Sequence, residues 1–401
     1  MPVPDKTPRV VIRPGAEKSL HRKHPWLFSG AIDKIKGNPS FGDTVIVQSS
    51  KGHDLAVGAY SPQSQIRVRI WSFNPEEPIG RLFFDNRIKR AVETRNQLAL
   101  PSVTTALRLV NSENDGIPGL IVDRYDRWLV CQFLSAGVET WKNDIVSILS
   151  EIPDVNGIYE RSDTESRKKE GMNQKTGSLS GKTPPETIVV DESGVRFHVD
   201  IINGHKTGFY IDQRENRKAL GDFASGKRVL NCFSYTGGFN AWALKGLAQS
   251  VTNIDVSESA LSLLKKNADL NGFGHDRYTV LCSDVFQTLR TMRDRNETFD
   301  MIVLDPPKFA HTSQQVVKAA RGYKDINLLA LKLLSRGGLL FTFSCSGHIS
   351  SDLFQKILAD AAVDSRRDVS IVRYLQQSED HAVALNFPEG LYLKGLICKA
   401  Y

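Results

Sequence analysis

The chain is predicted to be an α/β protein: a doubly wound parallel sheet fills its carboxyl-terminal half, preceded by a small β-barrel and a small α+β segment. Three observations predict this. From Ile188 onward, apolar runs alternate with helix-like stretches. Residues 10–73 are short β runs split by turns, and the stretch between carries a helix-period pattern followed by a hairpin signal. At 401 residues the chain is too long for one compact core, and we place the domains at 1–74, 75–187 and 188–401.

The first segment runs VVIRPGAEKSL, WLFSGAI, FGDTVIVQSSKG, HDLAVGAYSP and QIRVRIWSF. Within IRVRIW, Ile66, Val68 and Ile70 alternate with Arg67 and Arg69, so one strand face is cationic. Residues 1–75 hold 11 Lys and Arg against 5 Asp and Glu, nearly all of the chain's net charge of +7. That concentration suggests a polyanion-binding surface, with a solvated basic face as the alternative. Arg13, Arg22, Lys23, Arg67 and Arg69 are the candidate phosphate contacts, and the aromatics beside them, Trp26, Phe28 and Trp71, read as core.

Residues 80–101 have apolar residues at helical spacing with basic residues opposite. The Glu-Asn-Asp-Gly-Ile-Pro-Gly stretch after them has hairpin chemistry. Residues 162–187 are polar and rich in Gly, Ser and Lys, which predicts a mobile loop.

No apolar run approaches the ~18 residues of a membrane span. The amino-terminal stretch lacks a signal-peptide core, so a cytoplasmic protein is expected. The five cysteines contain no C-x-x-C pair, which argues against a disulfide framework or a zinc site, and no metal is expected. Cys131, Cys232, Cys282 and Cys398 lie in apolar runs and read as packing.

The carboxyl-terminal segment has a Rossmann-like rhythm: VRFHVDII, RVLNCFS, SVTNIDVS, YTVLCSDV, FDMIVLDPP and GGLLFTFS, each with a helix-like stretch after it. RVLNCFSYTGGFNAWALKGLA reads as strand, tight loop and helix, with Asn231, Thr236, Gly237 and Gly238 at the turn, where glycines let a ligand approach the backbone. The next strand ends in Asp255, placed to accept from ribose hydroxyls, and the one after ends at Asp284, within reach of an adenine amino group. The G-x-G-x-x-G turn of a nicotinamide enzyme is absent, and S-adenosylmethionine fits the pattern better.

The fourth strand ends in Asp305, Pro306, Pro307 and Lys308. The two prolines fix an extended exit, and the motif is similar to that of amino methyltransferases except that Lys308 stands where an aromatic would stack on a base. The fifth strand ends at Ser-Cys-Ser-Gly. Neighbouring fourth and fifth strands put Cys345 beside Asp305, where a thiolate can add to C6 of a cytosine and activate C5 for methylation. A packed small residue is the plainer reading of an isolated cysteine, but two serines, a glycine and the Asp-Pro-Pro-Lys turn nearby favour the nucleophile.

At these residues the chain resembles a family of bacterial large-subunit ribosomal RNA methyltransferases that make 5-methylcytosine in 23S rRNA. The resemblance rests on GHKTGFYIDQREN (204–216), VLNCFSYTGGF (229–239), DPPKF (305–309), RGYKDIN (321–327), FTFSCSG (341–347) and PEGLYLKG (388–395). The first segment looks like that family's PUA domain and the second like its small α+β domain. The resemblance implies S-adenosylmethionine as cofactor, Cys345 as nucleophile, Asp212 and Gln213 near the methyl donor, and 23S rRNA or a large-subunit precursor as partner. Tyr392 and Lys394, with Lys308, are then expected to face RNA. The wider group of cytosine-C5 enzymes carries a second cysteine in the fourth-strand motif, and DPPKF has none. Another base must then take the C5 proton, with Asp305 a candidate. Three other readings stay open: a methyltransferase acting on a purine nitrogen, a non-catalytic RNA-binding assembly factor, and an oxidoreductase that the glycine pattern disfavours. The sequence is silent on oligomeric state and leaves a homodimer open.

Overall fold

A computed structural model describes residues 7–310 and 312–401. The chain divides into two compact units. The first comprises residues up to 190, with 199–211 and 379–390, and the second comprises 191–198, 212–378 and 391–401.

In the first unit, β1 (Arg9–Ile12), β2 (Trp26–Phe28), β3 (Ile32–Lys36), β4 (Thr44–Gln48), β5 (Asp54–Tyr60) and β6 (Ile66–Ser72), with the short helix α1 (Glu17–His21), make the expected barrel segment. The strands form one sheet in the order β2-β6-β5-β4-β1-β3, antiparallel except for β1 with β4. Val10, Ile12, Leu27, Val45, Val47, Val68 and Ile70 fill its core, which is the alternation read from the sequence.

α2 (Arg81–Gln97) lies on a second sheet of β7 (Ala106–Asn111), β8 (Leu120–Tyr125), β9 (Trp128–Phe133), β10 (Gly157–Ser162) and β11 (Lys175–Gly181), in the order β11-β10-β9-β8-β7. The hairpin is the antiparallel pair β7–β8. α3 (Ala136–Thr140) and α4 (Lys142–Leu149) complete the layer. Trp71 of the barrel packs edge-on against Phe83 and Phe84 of α2, so two expected domains share one core.

The expected mobile loop at 162–187 is largely ordered. It forms α5 (Glu165–Lys169) and β11, which pairs antiparallel with β10. Burial alone would raise the Glu139 carboxyl, yet Arg167, Lys175 and Lys142 around it hold its pKa down to about 2. Arg167 is buried and also donates to the Phe133 carbonyl. Composition missed this because the ordering comes from an ion cluster, not from apolar residues.

Beyond β12 (Ile188–Glu192) and β13 (Val195–Val199), which form a separate two-stranded sheet, the second unit carries seven strands. VRFHVDII therefore lies outside the main sheet, contrary to the sequence reading. The strands are β14 (Arg228–Cys232), β15 (Ser250–Asp255), β16 (Tyr278–Cys282), β17 (Phe299–Leu304), β18 (Leu334–Ser344), β19 (Val369–Gln376) and β20 (Lys394–Ala400). Their order is β16-β15-β14-β17-β18-β20-β19. The first five are parallel, and β20 inserts antiparallel between β18 and β19. Helices α6 (Arg214–Phe223), α7 (Gly238–Lys245), α8 (Glu258–Leu270), α9 (Val285–Asp294), α10 (Val316–Leu333) and α11 (Ser351–Ser365) accompany it. Two apolar clusters, one with Leu230, Ile302, Leu340 and Ile326 and the other with Val229, Val303, Phe341 and Leu264, line the sheet. Strand order reverses between β14 and β17, and ligands of such sheets bind at the carboxyl ends beside that point.

Candidate active site

Five strands deliver polar residues to the same edge of the sheet. After β14 the chain makes a cramped turn in which Phe233, Tyr235 and Gly237 all have positive φ. A Cβ on Gly237 would sit 2.5 Å from Leu264 Cγ, so glycine is required by both conformation and packing. The Thr236 carbonyl accepts from Asn267 Nδ2 at 2.9 Å, which fixes the loop to α8. Two left-handed non-glycine residues mark stored strain, a feature concentrated at ligand sites.

Asp255 ends β15. Its Oδ2 accepts from the Tyr235 amide at 2.8 Å and its Oδ1 from the Ser257 amide at 2.9 Å. Each oxygen keeps a lone pair for a hydroxyl. Asp284 caps α9 through the Gln287 amide at 2.9 Å and is exposed. Asn231 is instead buried in a ladder, donating to Asn253 Oδ1, and Asn253 donates in turn to Asn240 Oδ1. It ties strands together more directly than it faces a ligand.

Asp305 follows β17. Burial and the neighbouring Asp212 carboxylate push its pKa up to about 7, against a hydrogen bond from Gln213 and the charge of Arg217. Asp212 is held by Tyr392, whose hydroxyl donates to Oδ2 at 2.6 Å, and by Ser378, which donates to its carbonyl. Pro306 is buried, while Pro307 and Lys308 are exposed.

Cys345 emerges from the end of β18 and is partly exposed, unlike the buried Cys131, Cys232 and Cys398. Burial pushes all three of those thiols up, Cys398 to about 12. Cys282, expected to be packing, is exposed at the sheet's edge strand. The turn around Cys345 is pinned from two sides. Ser344 Oγ donates to the buried Tyr323 hydroxyl at 3.0 Å, and Ser346 Oγ lies 3.2 Å from that hydroxyl and accepts from the Ala310 amide at 3.3 Å. On the other side Lys394, paired in register with Ser344, donates through Nζ to the Ser346 and Ile349 carbonyls at 2.8 and 2.7 Å. Burial pushes the Lys394 pKa down to about 8, while the charge of Cys345 acts to raise it.

These contacts replace some sequence expectations. Lys394 is 8% exposed and braces the cysteine turn from within, so it is not presented to RNA. Tyr392 is committed to Asp212. Arg69 is mostly buried, bonded to Glu170 at 2.7 Å and beside Glu113 at 3.7 Å, because its strand face is covered by the segment after α5 and the turn between β7 and β8. Arg67 is half-buried and donates to the Pro62 carbonyl. Arg13, Arg22 and Lys23 are exposed as expected. Sequence reasoning gave no role to Tyr323, although it lies within RGYKDIN.

The residues present fit S-adenosylmethionine. Ser234 Oγ, Thr236 Oγ1 and Asp212 Oδ1 are buried without a hydrogen-bond partner among the described residues, as polar atoms awaiting a ligand would be. Asp255 suits a ribose diol, Asp284 an amino group, and the Asp212–Asp305 pair a cation. Among the described residues no cluster of His, Cys, Asp or Glu is arranged to hold a metal, and no helix is long and apolar enough to cross a membrane.

Fold and site together define an S-adenosylmethionine-dependent methyltransferase: residues 168–380 match the model of that family, and residues 10–73 match a PUA-like domain. S-adenosylmethionine is its cofactor. The chain is 50% identical to the ribosomal RNA large subunit methyltransferase I of Photobacterium profundum, covering 98% of this chain and 99% of that one. It is 51% identical to the protein of the same name from Aeromonas salmonicida, over 96% and 98%. The chain belongs to the ribosomal RNA large subunit methyltransferase I family. A solved methyltransferase complexed with SAH shares the fold, with a TM-score of 0.85, 24% identity and coverage of 98% and 99%.

Proposed function

We propose that this protein methylates C5 of a cytosine in 23S rRNA, with Cys345 as the covalent nucleophile. The observation that carries the reading is a partly exposed thiol at the end of β18, beside the Asp305 strand end, in a turn braced by Tyr323 and Lys394. A merely structural cysteine has no need of such bracing.

The bound cofactor supplies an electrophilic methyl group on a sulfonium. The Cys345 thiolate adds to C6 of an extruded cytosine, and the electron pair moves to C5, which takes the methyl group. Asp305 then removes the C5 proton. The C5–H electrons rebuild the C5=C6 bond and expel the thiolate, so no net charge stays on the base. A carboxyl pushed to about 7 holds a useful fraction of base at neutral pH and can pass its proton on. The Lys394 ammonium lies within electrostatic reach of the sulfur and favours its charged form.

The test is incubation with labelled methyl donor and unmodified 23S rRNA, followed by digestion to nucleosides. Label in 5-methylcytidine is expected, and label in a methylated purine instead would overturn the assignment. Cys345→Ala should abolish turnover while keeping donor affinity, because the sulfur does not hold the cofactor.

A further inference from the structure

Within the first unit, a cavity of about 190 Å³ lies between β6, α2 and the turn at 113–118. Two guanidiniums converge on it. Arg87 Nη1 lies 2.5 Å, and Arg90 Nη2 3.5 Å, from the point where a Cβ on Gly116 would stand. Gly116 has φ +74°, so the position favours glycine in conformation as well as in space.

Arg87 is unusual in its bonding. Its side chain is 20% exposed and makes no hydrogen bond to any described residue. Its nearest carboxylate oxygen, Glu77 Oε2 at 3.6 Å, already accepts from Ser72 Oγ. Its guanidinium rests over the Phe83 ring at 4.8 Å, which fixes its plane without using its donors. Burial and the charge of Arg90 both lower its pKa, and Glu77 only partly offsets them. Arg90 spends one donor on the Asp115 carbonyl at 3.3 Å.

Two further facts bear on the ligand. Trp71 lines the cavity, and its Nε1 is a buried donor without a partner among the described residues. The acid on the wall, Glu113, accepts from Trp26 Nε1 and sits beside Arg69, so its charge is answered elsewhere. Asn386, on the rim, donates to the Lys23 carbonyl, which brings the exposed Arg22–Lys23 turn to the mouth. Arg87, four-fifths buried with spare donors and the like charge of the exposed Arg90 beside it, is costly unless an anion joins the pair.

We infer that this cavity is a phosphate site, in which Arg87 and Arg90 grip one phosphodiester of the RNA backbone and Arg22 and Lys23 contact its neighbours. The inference rests on the RNA-substrate reading but not on Cys345 chemistry. It fixes the register of the RNA and carries no base specificity.

The experiment uses the full chain without methyl donor. Anisotropy titrations of a labelled 23S rRNA fragment are run over a salt series for the wild type, Arg87→Gln, Arg90→Gln and the double variant. Each single variant is expected to bind about tenfold more weakly, with a log–log salt slope smaller by about 1. Thermal melts check that the variants remain folded. A second readout needs no variant at the cavity's arginines: the indole N–H resonance of Trp71, assigned with Trp71→Phe, should shift on adding the RNA fragment, and more weakly with inorganic phosphate. If the wild type binds RNA and the folded double variant binds it equally well, the cavity assignment is wrong while the RNA reading stands. If phosphate moves the indole resonance and RNA does not, the site serves a free anion and the RNA assignment is overturned. If the wild type binds no RNA, the RNA reading fails, and this inference with it.

Discussion

Replacing Lys394 by Met separates bracing of the nucleophile from stability of the fold. The ammonium is buried, and its pKa falls from 10.5 to about 8. At about 1.4 kcal/mol for each tenfold, keeping it charged at neutral pH costs roughly 3 kcal/mol. Its two bonds to the Ser346 and Ile349 carbonyls are charge-assisted, contribute about 1.5–3 kcal/mol each, and so roughly offset that cost. Met keeps the length and apolar stem but takes the donor from the Ile349 carbonyl, while the Ser346 carbonyl keeps the Ile349 amide at 3.0 Å. The net loss of stability should therefore be about 0–3 kcal/mol. Catalysis is expected to suffer more, because displacement of a reacting group by about 1 Å costs on the order of 100-fold. Lys394→Met should thus unfold in urea near the wild-type midpoint, bind S-adenosylmethionine normally, and transfer methyl about 100-fold more slowly in single turnover. A pH series adds a check. Between pH 8 and 10.5 the unfolded chain holds the Lys394 proton more tightly than the native chain, so wild-type stability should rise relative to the variant across that window. A folded Lys394→Met protein that transfers methyl within threefold of wild type would refute the bracing argument.

Asp305→Asn should stall after methyl transfer and leave a covalent protein–RNA adduct, visible as a slow band in denaturing gels; free 5-methylcytidine formed at the wild-type rate would rule Asp305 out as the base. The Asp305 carboxyl is raised from 3.8 to about 7, so the native chain binds more protons in that interval, and wild-type stability should fall relative to Asp305→Asn as pH rises through it. A cation beside the Asp212–Asp305 pair favours the carboxylate. Binding of S-adenosylmethionine near pH 6.5 should therefore release a proton that binding of the neutral SAH does not, measured by calorimetry in two buffers of different ionisation heat. Equal proton release for both ligands would contradict it. Glu192 and Arg217 form a buried pair at 2.5 Å, and Trp242 Nε1 also donates to Glu192. Glu192→Ala should cost about 3–5 kcal/mol in urea unfolding, because it removes a buried carboxylate that both the Arg217 guanidinium and the Trp242 indole use, and a loss below 1 kcal/mol would show the pair to be dispensable.

Sequence periodicity determined the sheet and its edge. Strands such as MIVL and LLF are apolar throughout because both their faces are covered, and that pattern places Asp255, Asp284, Asp305 and Cys345 at strand ends without any coordinates. The glycine turn was equally legible as a Gly-Gly pair between strand and helix, although the reason for glycine at 237, a Cβ that would meet Leu264, lies in the packing. What stayed hidden depends on contacts between residues far apart in the chain. Lys394 looks like a surface cation in PEGLYLKG and becomes a buried brace only because β20 inserts antiparallel beside β18, setting it opposite Ser344. Arg69 looks like a phosphate contact on an alternating strand, and it is Glu170, 101 residues away, that claims it. Residues 165–181 look disordered until Glu139 gathers Arg167 and Lys175. Local pattern fixes which face of an element is apolar; the partner of a charged side chain is settled only by tertiary packing, because ion pairing acts through space and leaves no period in the sequence.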